Sequence, residues 1–303
     1  MKVAIAGGNG FIGRELTRQL LERGDEVTWL SHRAGRVAPP TGVAEVAFDP
    51  ATPDAEWAGA VAASDAVVNL SGYPIASRWD EHVKYLLVSS RVETTRALIE
   101  AIGRAREAGH APSVYVSASG IGIFGDAGDT VLVETAAPGE DWLAQLAVLW
   151  EREAARAEAV SCRTVMVRTG LVLGDEGLVP RLKLPMLLFT GGPIGTGKQW
   201  VSWIHHADIA GIYVEALHNA ALTGPVNAAA PKPVVMDDFI RAFGQVLRRP
   251  AWFRVPDFAL KIVLGEVAPY TLYSQRVSAA KALDAGYVFR YPEVEGALRD
   301  VLR

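Results

Sequence analysis

The sequence is poor in cysteine, in long apolar runs and in excess charge of either sign. Its 303 residues include one cysteine, Cys162, so no disulfide can form within the chain, and a reducing compartment is expected. A formal net charge of −4 leaves no basic excess to neutralise a polyphosphate, which argues against nucleic acid as a partner. The apolar start at residues 1–6 reaches glycines too early for a signal peptide, and no uncharged run of about 18 residues follows it. We therefore expect a cytoplasmic protein without a membrane span.

Apolar side chains are abundant, and their spacing alternates between two periods. Hydrophobic residues make up 50% of the chain, enough to bury a large core. In residues 1–175, short β-branched runs alternate with longer amphipathic stretches, which is typical of repeated βαβ units in an α/β domain. Beyond Gly174, prolines and glycines become frequent, so residues 176–303 are predicted as a smaller C-terminal lobe on the substrate side. We predict strands at 3–6, 26–30, 44–48, 66–70, 113–117 and 164–168, and helices at 12–23, 80–106 and 142–159.

A glycine-rich turn joins the first predicted strand directly to the first predicted helix, with the sequence Gly7-Gly8-Asn9-Gly10-Phe11-Ile12-Gly13. Glycines permit a positive φ, let backbone N–H groups approach a diphosphate, and allow a helix to pack closely on a strand. The helix N-terminus then presents free N–H groups and the positive end of its dipole to the anion. We predict a Rossmann-type, doubly wound parallel sheet that binds a nicotinamide dinucleotide at this turn, rather than a plain tight turn.

The end of the second strand indicates which coenzyme is bound. An acidic residue there would accept from the ribose 2′-hydroxyl and repel a 2′-phosphate, but the chain continues with Ser31-His32-Arg33, and Arg36 lies just beyond. These side chains can hydrogen-bond and neutralise a phosphate. NADP(H) is therefore predicted in preference to NAD(H). The alternative is that Arg33 and Arg36 are solvated loop charges.

Several motifs, in this order along the chain, resemble the extended short-chain dehydrogenases/reductases. They are the glycine turn, Asn69-Leu70-Ser71-Gly72, Ser117-Ala118-Ser119-Gly120-Ile121-Gly122-Ile123-Phe124-Gly125, Arg168-Thr169-Gly170-Leu171-Val172-Leu173-Gly174 and Trp203-Ile204-His205-His206-Ala207-Asp208. Other segments resemble the atypical, sugar-nucleotide-epimerase-like branch: Arg78-Trp79, Ser90-Arg91-Val92-Glu93-Thr94-Thr95, Gly191-Gly192-Pro193-Ile194-Gly195-Thr196-Gly197-Lys198-Gln199-Trp200 and Leu247-Arg248-Arg249-Pro250.

The resemblance covers nearly the whole chain and implies more about coenzyme than about substrate. It implies a family-specific C-terminal tail at residues 248–297. The predicted coenzyme site comprises the turn residues Gly7, Asn9, Gly10, Phe11, Ile12 and Gly13, then Ser31, His32, Arg33, Leu70, Ser71, Gly72, Arg91, Ser117 and Val172. Arg91 stands where an asparagine is usual in typical relatives and can reach the coenzyme's phosphates; the alternative is a helix-surface ion pair with Glu93 or a nearby acid.

The Tyr-x-x-x-Lys pair of catalytically typical relatives is missing, because residues 125–160 contain neither Tyr nor Lys. Ser119, just beyond a predicted strand, is the best-placed hydroxyl to orient a substrate carbonyl, and Ser117 is the alternative. Tyr73 can replace the absent phenol if its loop folds toward the nicotinamide. The competing interpretation of Tyr73 is an aromatic packing cap beside Pro74.

A His-His-x-Asp string, His205-His206-Ala207-Asp208, suggests a metal site but is not predicted to be one. Neighbouring histidines of a strand point to opposite faces, and no other ligand cluster completes a site. We predict a structural role for His205, and Asp208 as the N-cap of a helix at 209–220. The loop from Gly191 to Trp200 is predicted to wall a substrate pocket.

Two classes of function remain open. The first is an NADP(H)-dependent oxidoreductase, epimerase or dehydratase that acts on a small polar metabolite with non-standard acid–base groups. The second is a sensor or scaffold that binds NADP(H) without turnover. The missing Tyr-x-x-x-Lys pair favours the second, and the pocket-forming loops favour the first. A small-molecule substrate is the expected partner. The sequence leaves open whether the chain also forms a homo-oligomer.

Overall fold

Strands and helices alternate around one large sheet. The structure is a computed structural model that describes residues 1–53, 55–251, 254 and 265–303. Its strands are β1 Lys2–Ala6, β2 Glu26–Ser31, β3 Ala44–Ala47, β4 Ala66–Asn69, β5 Val114–Gly120, β6 Val131–Leu132, β7 Arg163–Thr169, β8 Leu171–Leu173, β9 Trp200–Val201, β10 Trp203–His205, β11 Gly224–Ala228, β12 Val234–Val235 and β13 Arg276–Val277. Its α-helices are α1 Phe11–Glu22, α2 Glu56–Ala62, α3 Glu81–Glu107, α4 Trp142–Ala155, α5 Leu178–Leu187, α6 His206–His218, α7 Met236–Leu247, α8 Ala280–Asp284 and α9 Val294–Val301.

Seven strands form a parallel sheet in the order β3-β2-β1-β4-β5-β7-β11. This confirms the predicted α/β, Rossmann-type fold. Strands β1, β2 and β3 extend the sheet to one side. The chain then returns to the other side of β1, where β4, β5, β7 and β11 follow in order. Ligands of such sheets bind outside the carboxyl ends of the strands, at the point where the strand order reverses. In this sheet that point lies between β1 and β4.

Helices cover both faces of the sheet because the strand side chains alternate between two apolar cores. On one face, Val3 and Ile5 of β1 pack in a core that includes residues of α1 and α6. On the other face, Ala4 and Ala6 pack in a core that includes residues of α2, α3 and α4. Leu16 of α1 is fully buried, and burial of such a side chain contributes about 1.5–3 kcal/mol.

The smaller C-terminal part has an apolar core of its own. Side chains of α5, α7 and α9 pack together in it, with the fully buried Trp203, Phe243 and Leu298. The chain also returns to the main sheet through β11, so the predicted boundary at residue 175 stays a prediction. Of the predicted tail at 248–297, residues 252, 253 and 255–264 lie outside the described residues. No helix in the described ranges is both long and apolar enough to cross a membrane.

The start of α6 differs from the prediction, and Asp208 is not its N-cap. The helix begins at His206, and the Nδ1 atom of His205 accepts the Ala207 N–H at 3.1 Å. The Asp208 carboxylate instead accepts the N–H groups of Arg290 and Tyr291 at 2.7 and 3.0 Å. The C-terminal segment therefore supplies tertiary donors that the local capping rule does not include.

The two histidines do not point to opposite faces, which corrects the argument made from the sequence. His206 is the first residue of α6 and no longer follows the alternation of a strand, so the two rings lie 4.3 Å apart. His205 is 1% exposed, with its Nε2 atom 3.3 Å from the Asp300 carboxylate. It caps a helix, as the predicted structural role requires. The predicted helix at 142–159 ends at Ala155 and continues as a 3₁₀ turn, Arg156–Val160.

We expect Gly13→Ala to destabilise the protein and Gly59→Ala to stabilise it. A Cβ atom at Gly13 would lie 2.5 Å from the Gly7 carbonyl oxygen, whereas a Cβ at Gly59 within α2 meets no atom within 4 Å. Overpacking against backbone costs about 1–3 kcal/mol, and alanine in an open helix interior gains about 0.5–1 kcal/mol over glycine. Denaturant unfolding of both variants measures the difference. Equal midpoints would contradict the close packing of α1 on the turn.

A second expectation concerns acid sensitivity through His205. Burial and the neighbouring His206 lower the pKa of His205 to about 4. The pKa of His205 in the folded protein lies below its ordinary value of 6.5. The neutral imidazole therefore stabilises the fold fully above pH 6.5, and this stabilisation is lost as the pH falls toward 4. The loss amounts to roughly 3 kcal/mol. His205→Asn, which retains a capping oxygen, removes this part of the pH dependence of unfolding, and the exposed His110→Asn does not. An unchanged pH profile in His205→Asn would contradict the assignment.

Candidate functional site

The candidate site lies at the carboxyl edge of the sheet, where the chain leaves the adjacent strands β1 and β4. The glycine turn follows β1, and the backbone of Leu70 and Ser71 follows β4. A Cβ atom at Gly7 would lie 3.1 Å from the Leu70 carbonyl and 3.2 Å from the Ser71 nitrogen. The structure therefore brings these two predicted segments into direct contact.

The turn is a cradle of bare backbone. Gly7 has φ of 80°, a conformation that residues with a Cβ rarely adopt. A Cβ at Gly8 would lie 2.2 Å from the ring of Trp29 in β2, so this ring leaves room for glycine only. Gly13 brings α1 against the turn, as described above. The three glycines thus let the turn pack closely on α1, β2 and the exit of β4, while the N–H groups of Gly7, Gly8 and Gly10 donate to carbonyls within the protein.

The first N–H groups of α1 have no partner within the described residues. Gly10 is the N-cap and offers no side chain, and no described residue accepts from the backbone nitrogens of Phe11, Ile12 or Gly13. No acidic side chain occupies the first turn. Such a helix start attracts an anion through its N–H groups and dipole. The geometry fits a diphosphate held across the turn.

Two other residues of the turn, Asn9 and Phe11, contact neighbouring segments. The carbonyl of Asn9 accepts from the Arg14 guanidinium at 3.0 Å. The ring of Phe11 packs over Gly174, where a Cβ would lie 2.2 Å from it. Phe11 therefore ties α1 to the segment after β8, and its contribution to the turn is its backbone.

The end of β2 carries polar groups without local partners. Ser31 is fully buried, and its Oγ atom has no hydrogen-bond partner among the described residues. His32, Arg33 and Arg36 are exposed, and no described carboxylate lies within 4 Å of either guanidinium. A buried hydroxyl without a partner is unusual in folded proteins. This group of side chains fits a phosphate, and the exposure of the two arginines equally allows solvated charges.

Arg91 is not the helix-surface ion pair that was the alternative prediction. Its side chain is 6% exposed and donates to the carbonyls of Leu87 at 3.2 Å and Tyr73 at 3.1 Å. The guanidinium also lies 5.2 Å from the ring centre of Trp150. A Cβ atom at Gly72 would lie 3.2 Å from the guanidinium carbon. Arg91 is therefore placed directly behind the exit of β4.

Ser119 belongs to a buried network that the sequence did not reveal. Its hydroxyl donates to the Glu151 carboxylate at 2.6 Å, and Arg168 donates to both oxygens of the same carboxylate at 2.8 Å. Ser119 and Arg168 are neighbours in register on β5 and β7, and Glu151 reaches them from α4. We expected Ser119 to orient a carbonyl as a donor. Its proton is instead engaged by Glu151, so only its lone pairs are available to a ligand.

The other two hydroxyl candidates differ in their surroundings. Ser117 is fully buried, and its Oγ donates to the Ala118 carbonyl at 3.0 Å. The Tyr73 N–H donates to Ser90 at 2.8 Å, and the ring packs on an apolar cluster that includes Trp79. This packing matches the aromatic-cap interpretation of Tyr73.

Two tyrosines from the C-terminal part reach the same cluster, and sequence reasoning missed them. The ring of Tyr270 lies 5.1 Å from Trp79 and 5.3 Å from Tyr273. Burial, followed by the nearby Asp141 carboxylate, raises the pKa of both phenols. Tyr270 lies more than 120 residues from Asp141 along the chain, so no local pattern could have predicted this proximity.

The predicted pocket wall at Gly191 to Trp200 is a folded loop. Gln199 is 6% exposed, and its amide donates to the Ile194 carbonyl at 2.9 Å. A cavity of about 580 Å³ lies between Pro193 of this loop and the end of α7. Val172 is half-buried in β8, paired in register with Ile204 of β10. In the described ranges, no group of three or more His, Cys, Asp or Glu side chains is arranged to hold a metal ion.

Comparisons with known proteins identify the family to which the chain belongs. A family model described as "NAD dependent epimerase/dehydratase family" matches residues 3–229, and one described as "Domain of unknown function (DUF1731)" matches residues 255–301. The epimerase family protein YfhF of Bacillus subtilis is 37% identical over 305 residues, which cover 100% of this chain and 98% of that one. The chloroplastic epimerase family protein SDR39U1 homolog of Arabidopsis thaliana is 36% identical, covering 100% of this chain and 87% of that one.

A solved relative adds a structural match. The crystal structure of human epimerase family protein SDR39U1 (isoform 2) with NADPH superposes with a TM-score of 0.83 at 32% identity, covering 99% of each chain. The glycine turn and the seven-stranded sheet described above lie within the matched region. The resemblance read from the motifs is thereby confirmed: the chain belongs to the NAD-dependent epimerase/dehydratase family, is SDR39U1-like, and carries a C-terminal DUF1731 domain.

Proposed function

We propose that the chain binds NADP(H) across the glycine turn and acts as an oxidoreductase or epimerase on a small polar metabolite. The observation that carries the binding proposal is the start of α1, where the N–H groups of Phe11, Ile12 and Gly13 have no acceptor among the described residues and lie at the positive end of the helix dipole. Ser31 and the basic loop after β2 support the 2′-phosphate form. The human relative crystallised with NADPH supports the same choice.

The chain's own residues would position the coenzyme and handle a proton. When bound, the coenzyme supplies or accepts a hydride, and the protein provides orientation and acid–base groups. Phe11, Ile12 and Gly13 would bind the diphosphate through their amides. Ser119, at the end of β5, would accept a hydrogen bond from a substrate hydroxyl, because its own proton is donated to Glu151. Substrate alcohols are therefore the groups that this side of the site suits best, and the hydroxyl proton lost on oxidation would pass through Ser119 to the Glu151 carboxylate.

A second candidate function is NADP(H) sensing without turnover. It is favoured by the same hydrogen bond, because Arg168 holds Glu151 on both oxygens and leaves Ser119 no labile proton to give. No tyrosine or lysine lies on α4 to supply one. The two functions share the coenzyme site and differ in chemistry alone.

We expect Arg33→Ala to weaken NADPH binding about tenfold and to leave NADH binding unchanged. The reason is the loss of one charge-assisted contact to the 2′-phosphate at an exposed site. Fluorescence titration with each reduced coenzyme measures both affinities. Arg23→Ala is the control, since Arg23 is also exposed but precedes the amino end of β2. Equal losses for NADPH and NADH in Arg33→Ala would contradict the choice of coenzyme.

Turnover separates the two functions. We expect purified protein to reduce NADP⁺ with at least one member of a panel of secondary alcohols and sugars, followed at the nicotinamide absorbance. Ser119→Ala should lower kcat at least tenfold while NADPH affinity stays unchanged, because the hydroxyl contacts substrate and not the diphosphate. Tyr73→Phe should leave kcat unchanged, since Tyr73 packs against an apolar cluster. Tight NADPH binding with neither an absorbance change nor an epimerised sugar product across the panel would favour the sensor.

A further inference from the structure

The cavity of about 580 Å³ at the end of α7 has a basic lining. Cavities of this volume are typical of small-molecule sites. The charged residues that line it are four arginines and one aspartate: Arg241, Arg248, Arg249, Arg254 and Asp237. None of them belongs to the candidate coenzyme site, so the proposed function leaves this lining without a role.

Two of the four arginines are paired with carboxylates. Arg254 donates to Asp237 at 3.1 Å, and Arg241 donates to Asp238 at 2.6 Å. No described carboxylate lies within 4 Å of the other two guanidinium groups. The described lining therefore carries an excess of positive charge, which favours an anionic ligand.

The backbone at Arg248 is of a kind that usually carries glycine. Arg248 follows α7 with φ of 55°. The Arg249 N–H donates to the Gly244 carbonyl at 2.8 Å, and the Arg248 N–H donates to the Gln245 carbonyl at 3.1 Å. These two bonds form a Schellman motif, in which glycine is the usual residue at the left-handed position. The motif itself needs no side chain there, whereas the cavity gains a guanidinium.

Arg249 is held beside the cavity by packing and one backbone bond. Its guanidinium lies 5.2 Å from the ring centre of Phe189, and its Nη1 atom donates to the Arg248 carbonyl at 3.1 Å. Phe189 also has a positive φ, of 62°. Two of the three non-glycine residues with positive φ in the described ranges thus lie in or beside this lining. Strained backbone of this kind clusters at functional sites.

We propose that the cavity binds a phosphorylated small molecule and that Arg248 and Arg249 hold its phosphoryl group. Planar guanidinium groups bind phosphoryl oxygens through paired, charge-assisted hydrogen bonds. Two adjacent arginines without a described counter-ion match the double charge of a phosphate monoester better than the single charge of a carboxylate. Pro193, Pro250 and Ala251 supply apolar surface for the organic part of the ligand. The site goes beyond the proposed function, because it requires neither coenzyme nor turnover.

The test measures binding of phenyl phosphate and of benzoate, which share an apolar ring and differ in the anionic group. Calorimetric titrations are run at equal ionic strength, with NADPH saturating so that the coenzyme site is filled, and again without it. The variants are Arg248→Gly and Arg249→Gln. Ser161→Gly is the matched control for the first, because Ser161 has φ of 59° and lies outside the lining. Arg299→Gln is the control for the second, because Arg299 lies on α9 and is paired with Glu295.

We expect phenyl phosphate to bind the wild-type protein, and to bind each of the two cavity variants at least tenfold more weakly, the loss typical of a charge-assisted bond. Both controls should bind as the wild type does. Denaturant unfolding should show Arg248→Gly to be at least as stable as the wild type, because glycine suits this backbone. This variant keeps the test decisive if Arg249→Gln does not fold.

Four results would overturn the proposal: no binding of phenyl phosphate to the wild type, equal affinity for benzoate, equal losses in the controls, or lower stability of Arg248→Gly with unchanged binding. The last would assign Arg248 to the dipole at the end of α7. Failure of the wild type to bind NADPH would instead contradict the proposed function, and the titration without coenzyme would still decide the role of the cavity.

Discussion

The contact between the start of α1 and the backbone of the glycine turn is the constraint on which the site depends. Gly13 lies so close to the Gly7 carbonyl that no side chain fits, and Gly7 in turn touches the exit of β4 at Leu70. Three chain segments from the middle of the sheet thereby meet through backbone contacts at the turn. The first amides of α1 have no acceptor among the described residues, since the N-cap Gly10 offers no side chain. The close packing of α1 on the turn and the attraction of its free amides for an anion thus both follow from the glycines at the turn.

The parts of the site that follow from local sequence could be predicted. β1, the turn and α1 are contiguous, so glycine spacing and hydrophobic periodicity are sufficient to place them. Ser31 ends β2 and Arg33 follows it closely, so their position was also predictable, while their role in coenzyme binding stays a prediction. Helix limits were predicted to within a few residues, and α4 was too long in the prediction because its last turn is 3₁₀.

The parts that depend on distant contacts could not be predicted. Glu151 lies 32 residues from Ser119 along the chain, and only the packing of α4 on the sheet brings the two side chains together. Asp208 had the residue type and position of an N-cap, but three donors from residues 287–291 hold its carboxylate. His205 then caps α6 instead. In each case a contact with a residue distant in sequence outweighed the local preference. Hydrophobic periodicity does not encode such contacts.

The hydrogen-bond polarity at Ser119 has a consequence for the chemistry of the whole site. In relatives with a Tyr-x-x-x-Lys pair, a phenol donates to the substrate oxygen and a hydroxyl assists it. In this chain Arg168 keeps the Glu151 carboxylate in place, and that carboxylate engages the one proton of Ser119. A carbonyl oxygen facing Ser119 would meet lone pairs and be repelled, whereas a hydroxyl would be bound. Under the proposed function, the arrangement would favour a substrate in its alcohol state, because the direction of the Ser119–Glu151 hydrogen bond leaves Ser119 as an acceptor only.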